Sequence, residues 1–173
     1  MHRGRQMLKL AALLFVALGT SAADRQTPSG LPVPRYVSLK FSEVNARAGP
    51  NNDQRLLWIY RARGLPVQVV AESSEWRRVC DPEGNLAWVH ARTVDGRRTI
   101  MRMVSEPIAV RKSPKLTAPV AAYLQARSTA SLIKCDKKGW CKVRSGGITG
   151  WTEATGVWGV AEKPQCVAPR VIP

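Results

Sequence analysis

Short apolar runs, broken every few residues by turn-forming residues, set the pattern of this chain. LPVQVVAES (65–73) is rich in valine and partly alternates apolar with polar positions. That is the mark of a strand with one buried face. Ser73, Ser74 and Glu75 break it, and WRRVC (76–80) resumes as the return strand. Pro82, Glu83 and Gly84 form the next turn, followed by a strand in NLAWVHA (85–91). The order then recurs as SLIKC (131–135), the turn DKKG, WCKVRS (140–145), the turn Gly146-Gly147 and ITGWTE (148–153). LLWIYRARG (56–64) places Trp58 and Tyr60 on one strand face. No convincing helical period follows the N-terminal segment, although the loops after Pro50 and Pro114 have room for a turn of helix. Short strands at this spacing predict small β-barrels.

The recurrence is an internal repeat. Arg47 matches Arg111, Pro50 matches Pro114, Trp76 matches Trp140 and Val79 matches Val143, all 64 residues apart. Trp88 and Trp151 are 63 apart, so one loop has lost a residue. Two copies are too few for a solenoid and predict two tandem domains.

These residues resemble the bacterial SH3-like domain family, whose pattern runs V-N-x-R-x-G-P, a valine-rich strand, G/x-W-x-x-V and G-W-V. The first copy supplies Val44-Asn45, Arg47, Gly49-Pro50, Pro66-Val67, Trp76, Val79, Gly84 and Trp88-Val89. The second supplies Val110-Arg111, Pro114, Gly139-Trp140, Val143 and Gly150-Trp151. It has Ala109 and Ser113 where the pattern has asparagine and glycine, so it is expected to keep a structural role and to have lost a binding one. The resemblance implies an all-β chain of two tandem barrels of five or six strands. The expected layout is a signal peptide over 1–23, a linker over 24–36, domains over 37–98 and 99–160, and a Pro-rich tail over 161–173.

The N-terminus carries Arg3, Arg5 and Lys9, then the apolar run LAALLFVAL, then small residues at Thr20, Ser21, Ala22 and Ala23. This is the pattern of a secretory signal peptide cut after Ala22 or Ala23. The run is too short to span a bilayer, which takes about 20 apolar residues. The expectation is an exported protein, periplasmic or secreted. Removing residues 1–23 leaves 24 basic against 12 acidic residues, a net charge of +12. Such a surface favours polyanions, and export argues against nucleic acid as the partner.

All four cysteines lie in the exported part, where an even count reads as disulfides. Cys135 and Cys141 flank the turn DKKG on adjacent antiparallel strands, within reach of one another. On the constant offset they align with Ala71 and Arg77, so the first copy lacks both together. A structural zinc site usually needs four Cys or His ligands, and after the signal peptide the chain has only one histidine, His90, and no CxxC pair. No metal or cofactor is therefore expected. Cys80 and Cys166 remain, either as a pair tethering the tail or as free or intermolecular thiols.

Catalysis finds little support. A Cys80–His90 pair is conceivable, but no further motif accompanies it, and the carboxylates are scattered. The reading is a non-enzymatic module that binds cell-wall (peptidoglycan) or other cell-envelope material, or one that docks a periplasmic protein. Trp76, Trp88, Trp140 and Trp151 recur and read as barrel framework. Trp158 has no counterpart and no assigned role. Candidate binding residues are Trp58, Tyr60, Arg61, Arg63, Arg47 and Tyr123. If Trp58 and Tyr60 face outward they form an aromatic platform rimmed by arginines; if not, they pack between the domains.

Overall fold

A computed structural model describes residues 27–166; the expected signal peptide lies outside them. Seven strands form the first unit: β1 (Arg35–Leu39), β2 (Val44–Arg47), β3 (Leu56–Tyr60), β4 (Pro66–Ser73), β5 (Trp76–Cys80), β6 (Leu86–His90) and β7 (Val94–Asp95). Seven more form the second: β8 (Thr99–Arg102), β9 (Ile108–Arg111), β10 (Val120–Leu124), β11 (Thr129–Cys135), β12 (Trp140–Ser145), β13 (Ile148–Glu153) and β14 (Val157–Trp158). The sheet orders are β3-β2-β6-β5-β4-β1-β7 and β10-β9-β13-β12-β11-β8-β14. Subtracting seven from each label of the second reproduces the first, so the sequence repeat is a repeat of topology. The all-β, two-barrel expectation holds. The seventh strand of each unit is only two residues long.

Alternation places the cores. In β4, Val67 and Val69 point inward; in β5 and β6, Val79 and Val89 do so; all four are fully buried. The second core repeats the scheme with Ile100, Val110, Leu124, Cys141 and Val143. One exchange between the cores moves side-chain bulk from one strand to its neighbour. Ala46 and Ala87 of the first barrel become Val110 and Gly150 in the second. A Cβ on Gly150 would lie 2.6 Å from a Val110 methyl and 2.7 Å from the Arg111 carbonyl.

Local structure departs from expectation in three respects. The loops after Pro50 and Pro114 make turns, and the 3-10 helices fall instead at Ala91–Thr93 and Ala154–Gly156. β1 begins inside the stretch read as a linker. The β4–β5 register sets Glu72 opposite Arg77, as Cys135 is set opposite Cys141. Cys135 therefore corresponds to Glu72, and not to Ala71 as a constant offset requires. The β11–β12 turn is one residue longer, and that shifts the alignment.

Cys135 and Cys141 are bonded, and so are Cys80 and Cys166. The second bond returns the tail to the first barrel, where Gln68 donates to the Lys163 carbonyl and accepts from the Gln165 N–H. Trp158 sits edge-on to Tyr36 with ring centroids 5.0 Å apart, so the tryptophan without a counterpart joins the two barrels. Thr99 adds to the junction by donating to the Gly64 carbonyl and meeting the Ser38 hydroxyl at 2.8 Å. No helix of the described residues is long and apolar enough to cross a membrane.

Candidate functional site

The first barrel carries a groove of about 610 Å³, within the usual range of ligand sites. Its floor comes from strand register. Trp76 opens β5 and stands directly opposite His90, the last residue of β6. Their rings lie 5.2 Å apart at 65°. His90 also starts the 3-10 turn: its Nδ1 accepts from the Arg92 N–H at 3.2 Å, and its carbonyl accepts from the Thr93 hydroxyl. A neutral ring accepting at Nδ1 carries its proton on Nε2, and Nε2 lies 3.7 Å from Glu75. The floor is thus held from three sides.

The rim comes from the β1–β2 connection, the start of β2, the β2–β3 connection and the 3-10 turn. Lys40, Phe41, Asn45, Asn52 and Arg92 line it. Phe41 is 46% exposed, a large apolar ring left open to solvent, with the Lys40 ammonium 5.5 Å from its centroid. Glu43 is the acid among the lining residues and is paired with Arg61. The net character is cationic with aromatic walls. Such a surface can stack on a sugar or an apolar side chain while Lys40, Arg92 and the two amides bind carboxylates.

Arg47, a sequence candidate, lines the groove, but one guanidinium nitrogen donates to the Gln54 carbonyl at 2.8 Å. Arg111 makes the matching bond to the Ala118 carbonyl, also 2.8 Å. The shared arginine is therefore a clamp on the following loop. Gly49 belongs to the same device, since a Cβ there would lie 2.7 Å from the Gln54 side chain.

Other candidates are placed differently. Tyr60 is not part of an outward platform. It belongs to the core, and its hydroxyl donates to Asp81 at 3.2 Å. Burial pushes its pKa upward, and the Asp81 carboxylate pushes it further. Trp58 packs against the same core and meets Tyr60 edge-on, with centroids 5.7 Å apart. The reason is parity: Val44 and Ala46, opposite Tyr60 and Trp58, are inward residues of β2. Tyr60 also borders a crevice of about 280 Å³ that Met101 and Met103 line from the second barrel. Arg61 and Arg63 are exposed, the first beside the groove through Glu43. Tyr123 is exposed on β10 of the other barrel and does not join this group. Cys80 is bonded to Cys166, so it holds no thiol for His90 to activate.

Phe41, Trp76, His90 and Arg92 were not singled out as binding residues from sequence. A signal was present in Asn45, which the second copy replaces with Ala109. Register extends that loss: Trp140 stands opposite Glu153, where Trp76 stands opposite His90. Leu39 and Arg102 hold the same position in β1 and β8, so Val104 and Thr155 take the places of Phe41 and Arg92. The second barrel keeps the framework without the groove's ring, imidazole, amide and cation.

Comparison with known proteins agrees with this architecture. The family model of the bacterial SH3 domain matches twice, over residues 40–96 and 104–159. Among solved structures, NlpC1 from Trichomonas vaginalis is similar at 13% identity, over 84% of this chain and 50% of its own, with a TM-score of 0.34. NlpC2 from Trichomonas vaginalis is similar at 11% identity, over 73% and 48%, with a TM-score of 0.33. The chain spans about half the length of these two proteins, and the likeness is too distant to bear on function. No curated protein matches it. With both halves matched over most of the described residues, the chain belongs to the bacterial SH3 domain family.

Proposed function

We propose that this protein is an exported, non-enzymatic binding module that holds cell-wall peptide or glycan in the groove of its first barrel. The observation that carries the reading is the asymmetry between copies. Phe41, Asn45, His90 and Arg92 are gathered around Trp76 in one barrel, and every one of them is replaced in the other. A framework role alone would favour the same residues in both. Family membership supports a binding role, and two disulfides are compatible with life outside the cytoplasm. Residues 37–98 then form the binding unit and 99–160 its partner domain.

Co-sedimentation of the oxidised protein with purified cell-wall sacculi, at low and high salt, tests the reading. Retention at high salt that falls on Phe41→Ala or Arg92→Ala supports it. Retention lost with salt in the parent protein means charge attraction only. No retention at either salt overturns it and leaves docking to an envelope protein as the alternative.

A further inference from the structure

The second barrel bears a row of cations of which only Arg111, the loop clamp, has a part in what is described so far. Directly opposed residues of antiparallel strands share a face. Lys134 faces Lys142, Lys142 faces Trp151, and Trp151 faces Arg111, across β11, β12, β13 and β9. The alternate positions Cys141, Val143 and Thr152 are fully buried, so this row lies on the outer face. Lys134 reaches across β12 to set its ammonium 5.8 Å from the Trp151 ring. Arg144 continues the same face, opposite Ser131 and Thr149. At strand spacing the row spans about 14 Å.

Two lysines set directly opposite one another cost stability. Among the described residues no ion pair relieves that cost. Every described ion pair uses an acid between Glu43 and Asp95, and none reaches Lys134, Lys142 or Arg144. Residues 99–160 hold 10 basic and 3 acidic residues, against 10 and 7 in residues 37–98. The matching row of the first barrel reads Ala71, Arg78, Trp88, Arg47, one cation fewer. Its counterpart of Arg144 is Cys80, which the tail covers through the bond to Cys166. The tail therefore covers this one position on the first barrel, whereas Arg144 is exposed on the second.

We propose that the outer sheet face of the second barrel binds a linear anionic glycan, a chain carrying carboxylate or phosphate groups at regular intervals. Lys134, Lys142 and Arg144 meet the anions, and the exposed part of Trp151 lies against a sugar ring. The row suits an extended chain. This site is separate from the groove of the first barrel and does not depend on it.

Fluorescence anisotropy with labelled oligogalacturonate, and with dextran bearing phosphate esters, tests the proposal on the full oxidised protein; neutral dextran is the blank. Lys134→Gln combined with Lys142→Gln is expected to weaken binding roughly five- to tenfold and to flatten its salt dependence. Arg55→Gln combined with Lys163→Gln removes equal charge elsewhere and is expected to change binding by less than about twofold. Lys134→Glu separates binding from folding, because it turns the opposed lysines into an opposite-charge pair. Without ligand its melting temperature is expected to match or exceed the parent's, while binding is lost. The preferred anion, carboxylate or phosphate, shows in which polymer binds more tightly. Parental binding by the double Gln variant overturns the proposal, as does an equal loss in the charge-matched control. So does binding to vesicles of anionic lipid that neither polymer displaces.

Discussion

Glu72 and Cys135 hold the same place in the two barrels. Each ends the inward row of its strand and faces the return strand across a tight turn, Glu72 opposite Arg77 and Cys135 opposite Cys141. One barrel closes that end with an ion pair of 3.1 Å, the other with a covalent bond. Glu72 does more than its counterpart. Its side chain is fully buried, pairs with Arg35 as well as Arg77, and accepts from the Ser29 N–H and hydroxyl, each at 2.9 Å. It thereby anchors the segment that precedes β1.

Replacing Glu72 is expected to be costly. Burial raises its pKa, but the hydrogen bonds from Arg35 and Ser29 outweigh this and leave it below the ordinary carboxylate value. Glu72→Gln strands two guanidinium groups and is expected to cost roughly 2 kcal/mol or more in urea melts. Folding lowers this pKa, so the folded protein binds the proton less readily than the unfolded chain. The contribution is complete above the unfolded carboxylate pKa and is lost as pH falls through the folded value. The stability difference between parent and variant should therefore shrink on acidification.

The two disulfides are expected to differ in worth. Cys80–Cys166 closes a loop with a sequence separation of 86, and Cys135–Cys141 one of 6. Chain entropy gives about 4–5 kcal/mol for the long loop and about 2 kcal/mol for the short one. Paired Ser variants compared by urea unfolding should rank in that order. A greater loss from Cys135→Ser with Cys141→Ser would contradict the loop-length account.

Tyr60→Phe separates a core role from a binding role. Asp81 also accepts from the Glu83 and Asn85 N–H groups and from the Asn85 amide, so the loss of one donor leaves it satisfied. The expected cost is about 1 kcal/mol, with sacculus binding unchanged. Reduced retention at unchanged stability would place Tyr60 in the binding surface after all.

Gly150→Ala tests the exchange of volume between the two cores. A Cβ there crowds Val110 and the Arg111 carbonyl, and overpacking of this kind costs about 1–3 kcal/mol. Val110→Ala in the same chain re-creates the pair that the first barrel holds at Ala46 and Ala87. It is expected to recover part of the loss, read as a positive coupling in a double-mutant thermal melt.

Much of the fold was legible because period-two alternation and turn residues are local. WRRVC, WCKVRS and ITGWTE became the strands expected, and the repeat of Arg47 with Arg111 returned as two loop clamps. The short strands at Val94–Asp95 and Val157–Trp158 were not legible, because two residues carry no period.

The sequence by itself determined the fold class, the repeat and the nearness of Cys135 to Cys141, since each follows from residues close along the chain. The tertiary structure decided which aromatics are open. Trp58 and Tyr60 lie against the core because pairing with β2 sets their parity, while Phe41 of the β1–β2 connection meets His90 and Arg92 at the end of β6. It also decided the partner of Cys80, which lies 86 residues further along the chain. Such pairings depend on how strands register across a closed sheet, and no local pattern encodes that distance.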